Sequence, residues 1–143
     1  MALIRLNAQS APANTFGGGK VLQVVPVETD TTSSISSSST SNFADVPNLV
    51  ASITPSATTS KILAMVSMTV HHSAHFVIHC NLERTIGGSA TLLGTSNVSN
   101  RVGSLMATLP TDGWYGAGFL DVDFHYVDSP TTTSACTYQV QVT

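Results

Sequence analysis

The chain has 143 residues, a formal net charge of −3 at pH 7 and only 9% charged side chains, while serine and threonine supply about a quarter of it. A chain of this length fits one domain and can bury a core without disulfide or metal staples. Its five basic residues form no stripe that would neutralise phosphates, and no apolar run reaches the roughly 18 residues of a membrane span. We therefore expect neither a nucleic-acid partner nor membrane insertion.

Residues 1–19 predict an extended N-terminal arm outside the core. The opening MALIRLNAQ is a short amphipathic piece, and Gly17-Gly18-Gly19 is a hinge before the domain at residues 20–143. The apolar patch in it is too short for a signal-peptide core, so we expect the protein to stay where it is made. In one interpretation the arm docks onto another subunit or protein, and in the other it is a frayed terminus. The docking candidates are Leu3, Ile4, Arg5 and Leu6.

Residues 20–28, KVLQVVPVE, predict a strand, because two rows of side chains alternate along them. Pro26 has no N–H to donate, which places this strand at a sheet edge or in a bulge. Residues 29–42 form a low-complexity Ser/Thr stretch. That stretch fits either a linker or an irregular edge strand with a loop.

The longest apolar run begins at Ile62, within the stretch 52–71. One row of its side chains is wholly apolar and the other turns polar after Met65, which predicts a central strand covered on both faces at its start. Ser73-Ala74 predicts a tight hairpin into the next strand, and Gly87-Gly88 predicts a turn. Further strands are predicted at residues 49–54, 75–84, 91–94, 101–109, 117–127 and 135–142.

About seven to nine short strands with no helical stretch between them predict an all-β fold. We expect a single antiparallel domain, a β-sandwich or jelly-roll-like fold. Cys80 and Cys136 share the parity of the core residues in their strands, which favours buried thiols over a disulfide bond. Their spacing alone leaves the disulfide bond open.

Four histidines lie within nine residues, and imidazole is the commonest metal ligand. The favoured interpretation is a polar, wet face of a sheet or the inner surface of a symmetric oligomer. The alternative is a metal ion on a three-fold axis, with one histidine from each subunit. The candidate ligands are His71, His75 and His79.

Asp121, Asp123 and His125 share the outward face of one predicted strand and superficially form a catalytic cluster. Carboxylates two residues apart on a strand are about 7 Å apart and normally solvated. The sequence contains no G-x-S-x-G, P-loop or H-E-x-x-H motif. We therefore expect no enzyme activity and no cofactor.

Trp114 and Tyr115 follow a Pro-Thr-Asp-Gly turn, which places both rings near a loop tip. Trp and Tyr at such positions are favoured contacts for sugars and proteins, so these two are the candidate receptor contacts. The alternative is the start of a strand that packs inward.

Five segments, chiefly strands and turns, carry a resemblance to a known family. They are GKVLQVV (19–25), Phe43-Ala44-Asp45, SITPSATTSKILAMV (52–66), residues 82–94 with Arg84 and Gly87-Gly88, and DSPTTTSACTYQV (128–140). Together they resemble a short domain of virion proteins from tailed bacteriophages of the marine and cyanobacterial type, which are labelled tail-fibre or fibre-like proteins. The matches cover most of the chain after residue 19 and carry no active site. The histidine cluster is not part of this pattern.

The resemblance implies a virion protein that is assembled in the host cytoplasm as a homotrimer. Its other partners are then tail or capsid proteins and a host surface glycan or receptor. We expect a non-enzymatic fibre or knob-like surface protein that attaches through its arm and takes part in host attachment. One alternative is a capsid decoration protein that stabilises the head shell. Another is a carbohydrate-binding module or weak polysaccharide depolymerase.

Overall fold

The computed structural model describes residues 20–35, 43–72, 78–94, 106–108 and 118–143. In this part of the chain there are seven β-strands and no helix, which confirms the all-β prediction. None of the described residues belongs to a helix long and apolar enough to cross a lipid bilayer. The strands are β1 (Ala44–Ile53), β2 (Ile62–His72), β3 (Ile78–Ile86), β4 (Ser89–Leu93), β5 (Met106–Thr108), β6 (Gly118–Asp128) and β7 (Cys136–Val142).

The strands form two antiparallel sheets. The large sheet has the order β1-β7-β3-β4, with β5 also paired to β3, and the small sheet consists of β2 and β6. The two strands of the small sheet pair over their full length, from Ile62 opposite Asp128 to His72 opposite Gly118. The chain passes between the sheets after β1, β2, β5 and β6. This is the connectivity of a two-layer β fold.

One hydrophobic core joins the two sheets. Its buried members include Leu82 and Val140 on the large sheet and Val122 and Phe124 on the small sheet. The alternation predicted along the last two strands is confirmed. The inward row of β6 is Leu120, Val122, Phe124 and Tyr126, its outward row includes Asp121, Asp123 and His125, and the buried row of β7 includes Cys136, Tyr138, Val140 and Val142.

Cys80 and Cys136 are free, fully buried thiols, in agreement with the favoured interpretation. In the ladder between β3 and β7, Cys80 lies opposite Val142 and Cys136 lies opposite Ile86. The two cysteines are therefore separated by the length of β7, which is about 20 Å at about 3.4 Å per residue. This register excludes a disulfide bond between them.

The prediction that β2 is a central strand covered on both faces is wrong. Among the described residues it pairs only with β6, and the side chains of Leu63 and Met65 are 57% and 77% exposed. Only the row that begins with Ile62 packs on the core. Ser73 and Ala74, where a tight hairpin is predicted, lie outside the described residues, and the strands before and after them, β2 and β3, belong to different sheets. Periodicity indicates which side chains avoid water and does not identify the neighbouring strand.

The strand predicted at residues 20–28 is wrong as well. Residues 20–35 run without a turn, a bend or a ladder partner in the described part of the chain. They are exposed up to Ile35, which packs against the core. An alternating sequence favours extended backbone, but a strand forms only where a neighbour accepts and donates its hydrogen bonds. No strand forms at residues 29–35 either, and residues 36–42 lie outside the described residues.

Gly87 and Gly88 form the turn between β3 and β4, as predicted. Their φ angles are 56° and 84°, and Ile86 lies opposite Ser89 across the turn. A two-residue hairpin with positive φ at both central positions is the type I′ turn that matches strand twist.

In β1 the register of the pairing with β7 shifts between Asp45 and Val50.

Several predicted sites lie outside the described residues. They are the docking candidates Leu3, Ile4, Arg5 and Leu6, the receptor contacts Trp114 and Tyr115, and the candidate metal ligand His75. Together with the arm at residues 1–19, they stay predictions.

Candidate interaction surfaces

The outward rows of β2 and β6 form the most exposed part of the small sheet, and we call them its outer face. Each position on one strand has a partner directly across on the other. Side chains in such pairs lie about 5 Å apart and act as a unit. The pairs are Leu63 with Val127, Met65 with His125, Ser67 with Asp123, Thr69 with Asp121, and His71 with Phe119.

Both ends of the outer face are apolar or aromatic. At one end Leu63 and Val127 are each 57% exposed, next to Met65. At the other end Phe119 is 79% exposed, and its ring packs against that of His71 with centroids 4.9 Å apart. Clustered apolar side chains on an exposed sheet face are typical of surfaces that contact a protein, a membrane or a ligand.

The middle of the outer face is polar. Thr69 Oγ1 donates a hydrogen bond of 2.7 Å to Asp121 Oδ1, and Asp123 and His125 are exposed beside them. The structure thus places Asp121, Asp123 and His125 on one outward face of β6, as their alternation predicts. The depression between Met65 and His125 is shallow and open, with a volume of about 240 Å³. Sites that bind small molecules enclose most of the ligand surface, and this depression does not have that form.

The histidines are distributed between the two sheets. His71 lies on the outer face of the small sheet, whereas His79 lies on β3 of the large sheet. Across the residues that the structure describes, no group of three or more His, Cys, Asp or Glu side chains is placed to hold a metal ion. The alternative of a metal ion on a three-fold axis, with one histidine from each subunit, stays a prediction.

A second exposed apolar feature precedes the first strand, and we call residues 20–28 the exposed segment. Val21 and Val24 are each 77% exposed, Leu22 is 64% exposed, and Val25 and Val27 are each 37% exposed. Full burial of such a side chain is worth about 1.5–3 kcal/mol. Covering the segment with another surface is therefore favourable in free energy.

Between the sheets, Asp128 joins both layers through one buried and three partly buried hydrogen bonds. Arg84 Nη1 donates to both of its carboxylate oxygens at 2.9 Å. Tyr138 Oη donates to Oδ2 at 2.7 Å, and the N–H of Ser129 donates to Oδ1 at 2.8 Å. Arg84 and Tyr138 are neighbours across β3 and β7, so one carboxylate at the end of β6 fixes the small sheet to two strands of the large one.

Sequence reasoning did not identify this cluster, although the signal was present. Asp128 continues the inward row of β6, and Arg84 continues the inward row of Cys80 and Leu82 on β3. Opposite charges on inward rows are conspicuous in a chain with so few charged residues, because buried charges normally occur in pairs. The exposed apolar residues of the outer face, in contrast, can be identified only once the pairing of the strands is known.

Burial raises the pKa values of three ionisable side chains in the core. The pKa of Tyr138 is raised far above its usual 10, first by burial and then by its hydrogen bond to Asp128. Burial also raises the pKa of Cys80 to about 11 and raises that of Cys136. These thiols are poor nucleophiles at neutral pH, because the reactive thiolate is disfavoured.

Comparisons of this chain with protein-family models, with curated proteins and with solved structures gave no match.

Proposed function

We propose that this protein is a non-enzymatic structural component of a bacteriophage virion, a fibre or knob-like surface protein with a jelly-roll-like β-sandwich that assembles as a homotrimer. The arm at residues 1–19 attaches it to a tail or capsid protein, with Leu3 to Leu6 as the docking residues. Trp114 and Tyr115 contact a host glycan or receptor. The virion is assembled in the host cytoplasm.

The exposed apolar surface of the two-sheet domain is the observation that carries this proposal. Val21, Val24 and Met65 are each 77% exposed, and Phe119 is 79% exposed. Monomeric proteins rarely leave clustered apolar side chains in water, whereas subunits of an assembly cover them with other subunits. The resemblance of the chain to virion proteins supports a virion as the assembly in question.

Counting copies per particle tests this proposal. We expect quantitative mass spectrometry of purified particles to find on the order of a few dozen copies or fewer, as a fibre or knob with low rotational symmetry requires. The major capsid protein in the same sample fixes the scale, and an abundant host protein measures contamination. Hundreds of copies would contradict the fibre placement and favour a capsid decoration protein. Absence from the particles would contradict both.

A further inference from the structure

The exposed segment has the chemistry of a strand whose partner is not in the described part of its own chain. It runs without a turn or bend, and Pro26 is compatible with the edge of a sheet. Beyond it, Ile35 packs against the core of its own subunit. The intervening residues 29–34 span at most about 20 Å when extended. The segment is therefore tethered close to the domain and free to reach a neighbouring subunit.

The edge of β2 is the best-matched acceptor for such a strand. β2 has 11 residues, or about 36 Å, and a nine-residue segment spans about 30 Å. The inner row of β2 is only partly buried at Ala64, Val66 and Met68, whereas Val122 and Phe124 on β6, the other strand of the small sheet, are 0% and 9% exposed. A third strand on the small sheet would complete the cover of this row.

Charge selects the direction of the added strand. The exposed segment carries Lys20 at one end and Glu28 at the other. Lys61 precedes β2, and Asp121 stands across from Thr69 farther along it. An antiparallel strand with Glu28 opposite Lys61 forms an opposite-charge pair there and puts Lys20 opposite Thr69, with β2 between Lys20 and Asp121 on β6. A parallel strand over the same stretch would instead put Lys20 opposite Lys61, and like charges directly opposite each other on neighbouring strands are unfavourable.

We propose that residues 20–28 add as an antiparallel strand to the β2 edge of a second copy of this chain, in the register that places Val24 opposite Met65. Each subunit then donates one strand and accepts one, so a closed ring of subunits, of which a reciprocal dimer is the smallest, satisfies every segment and every β2 edge. The odd-numbered residues Val25 and Val27 fall beside the inner row of β2. This proposal depends on the self-association in the proposed function and is independent of any role in a virion.

Cysteine cross-linking of the full chain tests the register. Val24 and Met65 are both exposed, so Val24→Cys with Met65→Cys leaves the core intact. We expect mild oxidation to convert most of this double variant into covalent oligomers that dithiothreitol reverses, as judged by non-reducing gels and light scattering. Cys80 and Cys136 are buried and stay unreacted. Each single variant should form at most a minor dimer.

A second double variant, Val24→Cys with Val50→Cys, is the matched control. Val50 lies on β1, at one edge of the large sheet, and is 40% exposed. This variant therefore tests whether the exposed segment pairs with the large sheet instead of the small one. Preferential cross-linking to position 50, or a cross-link within one chain, would overturn the proposal. An oligomer that forms without any cross-link between positions 24 and 65 would overturn the strand addition alone. A monomer without cross-links would also overturn the self-association.

Discussion

At the scale of single residues, Asp128 determines how the two sheets are held together. Its carboxylate accepts hydrogen bonds from Arg84 on β3 and Tyr138 on β7. The Nε atom of Arg84 is buried and has no hydrogen-bond partner in the described part of the chain. The guanidinium therefore relies on Asp128 for its charge compensation. Breaking such a pair costs more than the pair itself contributes, because it leaves one buried charge without a counter-charge.

We expect Asp128→Asn to lower the free energy of unfolding by about 3–5 kcal/mol, because it leaves the Arg84 guanidinium enclosed and unpaired. Tyr138→Phe should cost about 1.5–3 kcal/mol, since it removes one hydrogen bond to a charged group. Urea denaturation followed by tryptophan fluorescence and circular dichroism measures both. Asp123→Asn, on the exposed outer face, is the matched control and should change stability little. Equal effects at positions 123 and 128 would contradict the assigned role.

At the scale of the elements, the β3–β4 turn favours glycine because of its backbone conformation and not because a side chain would lack room. Gly87 and Gly88 both have positive φ, and a methyl group added at either would meet no atom within 4 Å. Any cost of a side chain there comes from the left-handed backbone alone, about 1–2 kcal/mol for most residues. The pairing from Ile86 with Ser89 to Leu82 with Leu93 depends on this turn.

We expect Gly88→Ala to lower the midpoint of thermal unfolding, with a loss of about 1–2 kcal/mol. Gly88→Asn should lose less, because asparagine tolerates positive φ better than alanine does. Differential scanning calorimetry of the two variants provides the comparison. Alanine as stable as asparagine at this position would mean that the turn adopts another conformation in solution.

The elements also show how far the sequence determines the fold. Alternation predicted the inward rows of β6 and β7, and the Gly-Gly pair predicted its turn, because both depend on residues close in sequence. Neither pattern predicts which strand lies beside which. Alternation therefore predicts β2 at the centre of a sheet and a strand at residues 20–28, and both predictions are wrong. The exposed apolar sites at Met65 and Phe119 depend on that pairing, so they became visible only with the structure.

At the scale of the whole molecule, the buried ionisable groups make the fold sensitive to alkali. Folding raises the pKa of the Cys80 thiol from 9.0 to about 11 and raises that of Tyr138 above its usual 10. The unfolded chain therefore loses these protons at lower pH than the folded chain. The stabilisation is fully present below about pH 9 and is lost as the pH rises through the folded-state pKa values.

We expect the free energy of unfolding to fall progressively between pH 9 and 11 for the Cys80 thiol, and to fall further where Tyr138 ionises in the unfolded chain. Cys80→Ala should be less stable at neutral pH, yet its stability should fall less steeply over this interval, because one fewer group releases a proton on unfolding. Denaturant titrations at half-unit steps of pH give both slopes. Val140→Ala also truncates a buried side chain but carries no titrating group, so it should keep the wild-type slope. A Cys80→Ala profile parallel to those of the wild type and Val140→Ala would show that the thiol does not ionise differently in the folded and unfolded chains.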